Sequence, residues 1–307
     1  MDTFINQLVA GMRRLIHRWP DSFAIRMAWR IFNRLVSVLG IRVTAVTKWG
    51  GRFRCNPRDI IQNSLIYFGV WEPTITRYLT TLRLDGHAVL DIGASIGYHT
   101  ILCAKLVGPA GKVFAVEPMP RILALLRENI QLNDLNNVVI IDRCVTTTPG
   151  PSEMYYGPDY NLGKSSLLRE RAGDEKVTVE GVRFLDLLPP DQFKQIRLVK
   201  IDVEGGEIPI LEMIINNYDC FDPEVSLLVE LSAPEPEPGD SLQLIFQSFL
   251  ALGYFIYRIN NSYEVTHYTG GQTTTTATVE LLNRHPGGEL DILVTRLSPQ
   301  QLDQMLG

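Results

Sequence analysis

Apolar and polar positions change period several times along this 307-residue chain, and each change marks an element. Over the opening stretch the period is helical. Phe4, Ile5, Leu8, Val9, Met12, Leu15, Ile16 and Trp19 fall on one face, and Arg13, Arg14, His17 and Arg18 on the other. Pro20-Asp21-Ser22 breaks this pattern and restarts it, Arg26, Arg30 and Arg34 continue the basic side, and Gly40 ends it. From 41 to 86 the pattern predicts short strands about a Gly50-Gly51 turn, then a helix from Thr74 to Leu84. Beyond that point short apolar runs alternate with helix-period stretches. His87–Ile92, Lys112–Val116, Val138–Ile141, Leu198–Ile201 and Ser226–Leu231 read as parallel strands, and Tyr254–Ile259 with Leu290–Thr295 as an antiparallel closing pair. The prediction is an α/β fold with a doubly wound, mostly parallel seven-stranded sheet in residues 50–307, preceded by an N-terminal amphipathic helical extension in residues 1–49. Residues 144–190 are too many for a plain connection and predict a hairpin or lid. The threonine run Thr273 to Thr276 reads as a turn or strand edge.

Candidate chemistry starts at Val89-Leu90-Asp91-Ile92-Gly93-Ala94-Ser95-Ile96-Gly97-Tyr98, a strand, a glycine loop and the start of a helix. Gly93 and Gly97 allow a sharp turn and close approach by a ligand, and free N–H groups at the helix start suit an anionic group. The spacing is Asp91-x-Gly93-x-x-x-Gly97, not the G-x-G-x-x-G of a dinucleotide site. A carboxylate in the loop disfavours a pyrophosphate and suits an ammonium group, such as the methionine end of S-adenosylmethionine. The cofactor-binding candidates are therefore Asp91, Gly93, Ser95, Gly97 and Tyr98, with Glu72 reaching the amine or simply stabilising the helix that follows it.

Ligands bind at the carboxyl ends of such strands, so Asp91, Glu117, Asp142 and Asp202 should share one rim. Glu117 ends the second strand at the spacing of an acid that accepts both ribose hydroxyls. Asp142 could accept from an adenine amino group, or could form a turn. Asp202 and Glu204, in Lys200-Ile201-Asp202-Val203-Glu204-Gly205-Gly206-Glu207, are candidates for a base or for orienting a nucleophile. An Asp-x-Glu pair could instead hold a divalent cation. Tyr156, Asn161, Ser165, Ser166 and Glu230 are candidates to face a substrate. His99 reads as a helix-start residue. Gly157 to Ser165 imitates a P-loop, but its glycine spacing is wrong and no strand precedes it.

Bulk properties narrow the partners. A net charge of −5 offers no field for nucleic acid. The four cysteines are far apart, which gives neither a zinc site nor a disulfide framework and fits reduced thiols in the cytoplasm. No apolar run is long enough to span a membrane. The basic N-terminal segment either lids the domain or rests on an anionic membrane surface, so the expected location is cytoplasmic or membrane-peripheral.

Phe68-Gly69-x-x-Glu72, the glycine loop, Glu117-Pro118, and the Lys200-to-Glu207 stretch together resemble the FkbM family of S-adenosylmethionine-dependent methyltransferases over roughly residues 50 to 260. The resemblance implies a Rossmann-like methyltransferase sheet, S-adenosylmethionine as cofactor, and O-methylation of a hydroxyl on a sugar, glycan or natural product. The family usually carries Asn where Ser95 stands. Rival readings are a nicotinamide-dependent oxidoreductase and a non-catalytic binding module on the same sheet. A nucleic-acid amino-methylating enzyme is disfavoured by the acidic charge and by Asp-Val-Glu-Gly in place of an Asn/Asp-Pro-Pro-aromatic stretch.

Overall fold

A computed structural model describes residues 2–20, 22–232, 241–261, 268 and 279–306. Its helices are α1 (Asp2–Arg18), α2 (Phe23–Val38), α3 (Ile60–Tyr67), α4 (Pro73–Thr81), α5 (Tyr98–Val107), α6 (Pro120–Leu132), α7 (Pro190–Phe193), α8 (Glu207–Asn216), α9 (Ser241–Ala251) and α10 (Pro299–Leu306). Its strands are β1 (Val43–Val46), β2 (Arg52–Cys55), β3 (Ala88–Ile92), β4 (Lys112–Val116), β5 (Val138–Ile141), β6 (Cys144–Val145), β7 (Gly150–Tyr155), β8 (Lys176–Val182), β9 (Ile196–Ile201), β10 (Ser226–Leu231), β11 (Phe255–Ile259), β12 (Val279–Leu282) and β13 (Leu290–Thr295).

The main sheet runs β12-β11-β13-β10-β9-β3-β4-β5. Its members β10, β9, β3, β4 and β5 are parallel, and β13 joins β10 antiparallel. Every residue of β3 is buried, as an unbroken apolar run predicts for a strand covered on both faces. The strand order reverses between β3 and β9, so both glycine-bearing stretches open into the same crevice. The antiparallel closing pair is present as β11 and β13. The sheet has eight strands where seven were expected. The extra one, β12, is a four-residue edge strand on β11 with no clean apolar alternation to announce it. The Thr273–Thr276 run lies outside the described residues.

The long 144–190 segment forms a second, three-stranded sheet of order β6-β8-β7. At the other end β1 and β2 pair as a hairpin, and the division expected at residue 49 falls in its turn, where Gly51 N–H donates to Thr47 Oγ1 at 2.7 Å. Val9 and Ile16 of α1 and Val36 of α2 are buried in one apolar cluster with Phe53, Leu65, Tyr67 and Phe68. Among the described residues no helix is long and apolar enough to cross a membrane, and all four cysteines are free.

Strand β2 has an edge that Asn129 of α6 and Asn133 just after that helix cover. Asn129, fully buried, accepts from Arg54 N–H at 2.8 Å and donates to the Ile96 carbonyl at 2.8 Å. Asn133 accepts from Arg52 N–H at 2.9 Å and donates to the Arg52 carbonyl. The side-chain amides thus satisfy edge-strand backbone that would otherwise be stranded in the interior, and Asn129 ties the hairpin to the glycine loop. Replacement of Asn129 by Leu strands two buried backbone groups and should lower stability by about 2–4 kcal/mol in urea unfolding; an unchanged midpoint would show the clamp to be dispensable.

Candidate active site

Two backbone turns build the site, and they touch. Gly93 follows β3 in the left-handed region at φ +83°. A Cβ there would lie 1.7 Å from the Asp202 carbonyl oxygen, so only glycine fits. The Asp202 N–H donates to the Ile92 carbonyl at 3.0 Å, which stitches the end of β9 to the end of β3. Ser95 follows at φ +50°, a region that strains serine and that asparagine tolerates better. The sequence departure at this position therefore has a backbone consequence. Gly97, at φ +90°, precedes α5, and a Cβ there would press on Leu126.

Charges meet at the junction of β3 and β9. The strand register sets Asp91 opposite Lys200. Lys200 donates to Asp202 Oδ2 at 3.0 Å and lies 3.8 Å from Asp91 Oδ1. Thr100 donates to Asp91 Oδ2 at 2.6 Å, whereas Oδ1 is buried with no hydrogen-bond donor in reach among the described residues. Burial would lower the Lys200 pKa, but Asp202, Asp91 and Glu72 outweigh it and hold the ammonium charged well above its usual range. Burial raises Asp91, against the pull of Lys200 and Thr100. His99 is buried with Nε2 3.3 Å from Glu72 Oε2, without the alignment of a hydrogen bond. Burial first, and Lys200 second, push its pKa well below the usual value and keep the ring neutral.

Acids continue along β10 and β13, where Glu230 pairs across the strands with Asp291. The Asp202 charge, then burial, raises Glu230, and burial with Asp202 raises Asp291. Glu204 sits at φ +53°, and burial followed by the Asp202 charge pushes its carboxyl up to about 7.

Glu117 closes the other end. It is buried at the end of β4, where Oε2 accepts from Ser95 N–H and Oε1 from Met119 N–H, both at 2.9 Å. Burial pushes it up to about 7 in spite of those bonds. A carboxylate has about four acceptor sites, so hydroxyl donors can still be taken. Beside it Val116, Pro118, Ile122, Cys144 and Val145 form an apolar slot.

These walls enclose a cavity of about 420 Å³, within the range of small-molecule sites. Glu72, Gly93, Ser95, Tyr98 and Glu117 line it, and so do Asp202, Glu204 and Glu230. Asn161 and Ser165 reach it from the loop after β7. Five expected residues stand elsewhere. Asp91 and Gly97 lie behind the wall, Asp91 because Lys200 and Thr100 take up its carboxylate in the interior. Asp142 follows β5 but turns to the surface, 54% exposed and paired with Arg143 at 2.7 Å. Tyr156 is buried in a separate apolar cluster, with the Arg121 guanidinium 4.3 Å from its ring. Ser166 donates to the Glu204 carbonyl at 2.6 Å, shaping the turn and not facing the cavity.

Sequence reasoning undervalued Lys200, His99 and Asp291. The usable signal was a charged residue inside an apolar strand, Leu-Val-Lys-Ile and Leu-Asp-Ile-Leu, since such a residue is buried only with partners. It also missed Ile60 and Ile61 of α3, apolar lining contributed from outside the sheet. The site fits S-adenosylmethionine: the Glu72 carboxyl on the cavity wall for an ammonium group, a diol-accepting carboxylate at Glu117, and an apolar slot between β4 and β6 for a flat base.

The Methyltransferase FkbM domain family matches residues 91–256. Methyltransferase sdnD of Sordaria araneosa is 30% identical over 154 residues, covering 40% of this chain and 59% of its own. A protein-L-isoaspartate O-methyltransferase of Methanothrix thermoacetophila is 39% identical over 57 residues, 19% of this chain and 27% of that protein. This chain thus spans less than two thirds of either relative. The M. jannaschii TYW2 structure in complex with AdoMet aligns at TM-score 0.42 and 15% identity, covering 83% of this chain and 84% of that one.

A raised acid gives a testable pH dependence. Between the ordinary 4.5 and about 7, folded Glu117 holds its proton more tightly than the unfolded chain does, so stability is greatest below 4.5 and is lost as pH rises through about 7. Unfolding of the cofactor-free protein at about pH 5.5 and 8 should show about 2 kcal/mol less stability at the higher pH from this group, and Glu117→Gln should reduce the total difference by about that amount, the other raised acids keeping the rest. An identical slope in that variant would contradict the burial of an ionisable Glu117.

Proposed function

The chain belongs to the FkbM methyltransferase family, and on that footing we propose that it transfers the methyl group of S-adenosylmethionine to a hydroxyl oxygen of a polyhydroxylated acceptor, a sugar, glycan or natural product. When bound, S-adenosylmethionine supplies a methyl group on a positively charged sulfur. Glu117 would hold the ribose hydroxyls, the slot formed by Val116, Ile122 and Val145 the base, and Glu72 the ammonium group. Holding two reactants in one orientation can remove roughly 7–11 kcal/mol of a bimolecular barrier, so positioning by this wall is the larger part of the catalysis.

The observation that carries the hydroxyl reading is Glu204, a half-buried carboxyl on the cavity wall whose pKa is pushed up to about 7 beside Asp202. A base matched to neutral pH removes the hydroxyl proton as the oxygen becomes nucleophilic, and the proton passes to the Glu204 carboxylate. Asp202, fixed by its hydrogen bond from Lys200, orients the same hydroxyl. Asn161 and Lys164 bring polar groups from the loop after β7, which favours an acceptor with several hydroxyls.

Calorimetric titration with S-adenosylmethionine should show binding by the wild type and a loss of roughly tenfold or more in Glu117→Ala, the worth of hydrogen bonds to a charged group. With a hydroxyl acceptor, Glu204→Gln should lower kcat by about 10²–10⁴ and leave the cofactor affinity unchanged. Asp202→Asn should lower activity in the same way. Full activity in Glu204→Gln would remove its assignment as base, and absence of cofactor binding by the folded wild type would remove the whole reading.

A further inference from the structure

Helix α2 carries two apolar stripes where one would hold it. Ile25, Trp29, Phe32 and Val36 turn inward, and Trp29 meets Tyr67 and Phe68 edge-on at 5.5 and 5.9 Å. Phe23, Met27, Ile31 and Leu35, each four residues after the last, form a second ridge that stays in solvent, with Phe23 70% and Leu35 58% exposed. Val38 and Leu39 prolong it, and Leu15 of α1 and Trp19 just after that helix are exposed as well. A row of this extent on a surface marks an interaction site.

The neighbouring ridge is basic. Arg26, Arg30 and Arg34 each lie three residues after a member of the exposed apolar row, and Arg14 and Arg18 are exposed on α1. Residues 1–40 hold six arginines against two aspartates, in a chain whose net charge is −5. The outer face is also held in one orientation: Asn63 donates to Asn33 Oδ1 at 2.8 Å, Arg58 Nε to the Ser37 carbonyl at 2.9 Å, and His17 Nε2 lies 3.0 Å from the Tyr67 carbonyl oxygen.

We propose that the outer face of α1 and α2 docks on an anionic phospholipid bilayer. An apolar row beside an arginine row is the arrangement of a helix lying in the interface plane, with side chains in the acyl boundary and guanidinium groups among the phosphates. A second copy of this chain fits less well, because a two-fold contact through this face would set like-charged arginine rows against each other. The inference concerns where the protein sits and stands independently of the methyl-transfer reading.

The test is co-sedimentation of the full chain with phosphatidylcholine vesicles, with and without roughly a third phosphatidylglycerol. The protein should sediment with the anionic vesicles only, and less at high salt. Arg30→Gln/Arg34→Gln should weaken the partition about thirtyfold, at about 1 kcal/mol per basic residue. Ile31→Ser/Leu35→Ser should abolish it while leaving the melting temperature and the S-adenosylmethionine titration unchanged, because both side chains are exposed. Failure of the wild type to sediment with anionic vesicles would overturn the proposal, as would equal binding after either double substitution. A dimer in light scattering that Ile31→Ser/Leu35→Ser dissolves, with no vesicle binding, would assign the face to self-association instead.

Discussion

The buried Lys200 ammonium is the group on which the site depends. It lies at the junction of β3 and β9 within reach of Asp91 and Asp202, with Glu72 close enough to raise its pKa further. Removing a lysine from water is costly, and only these partners make it tolerable. The dependence also runs the other way. Without the cation, Asp91 and Asp202 would leave β3 and β9 with like charges at one seam, and burial already favours the protonated form of Asp91. One cation among several acids also keeps His99 neutral, since Lys200 adds to the effect of burial on the ring. The protonation pattern of the crevice thus follows from burial first, with the Lys200 and Asp202 charges adding to it or opposing it.

Backbone strain is concentrated at the same place. Among the described residues four non-glycine residues have positive φ, and three of them, Glu72, Ser95 and Glu204, line the cavity. Strained conformations persist only where the surroundings fix them. The surroundings here are visible: Gly93 against the Asp202 carbonyl, the Ser95 N–H on Glu117, and the Ser166 hydroxyl on the Glu204 carbonyl. The Ser95 and Glu204 turns are therefore each held by a hydrogen bond to a residue distant in sequence.

Those facts explain which parts of the molecule were legible in the sequence. Strands β3, β4 and β10 are fully or largely buried runs with turns at their ends, and β5 is a short apolar run, so composition and length identify them. The acids that end β4 and β9 follow from topology, because parallel strands point their carboxyl ends at one crevice. Topology does not say which way a side chain turns. Asp142 ends its strand as expected, yet pairs with Arg143 at the surface. Tyr156 lies in the expected segment, yet its ring packs beneath Arg121. β12 gave no signal because an edge strand of four residues can pair without alternation. Asp91 was recognised as an acid of the loop, but its depth depends on Lys200, a partner 109 positions away that no local pattern reveals.

The N-terminal helices were readable as amphipathic, and a lid and a membrane contact were rival accounts of one apolar face. The structure separates two faces, so the accounts do not compete: Trp29 and Val36 cover the domain while Ile31 and Leu35 look outward. The covering layer also connects to the cavity. Arg58 reaches the Ser37 carbonyl at the end of α2, and Asp59 next to it caps α3 and accepts from the Leu162 N–H at 2.9 Å. Ile60 and Ile61, which follow, line the cavity from α3, and the Ile60 N–H donates to the Tyr160 carbonyl. The same short segment thus bonds to the outer helix on one side and to the acceptor-side loop on the other. Arg58 and Asp59 thus give α2 a continuous hydrogen-bonded connection to that loop, beside the packing of Trp29 on Tyr67 and the Asn33–Asn63 hydrogen bond.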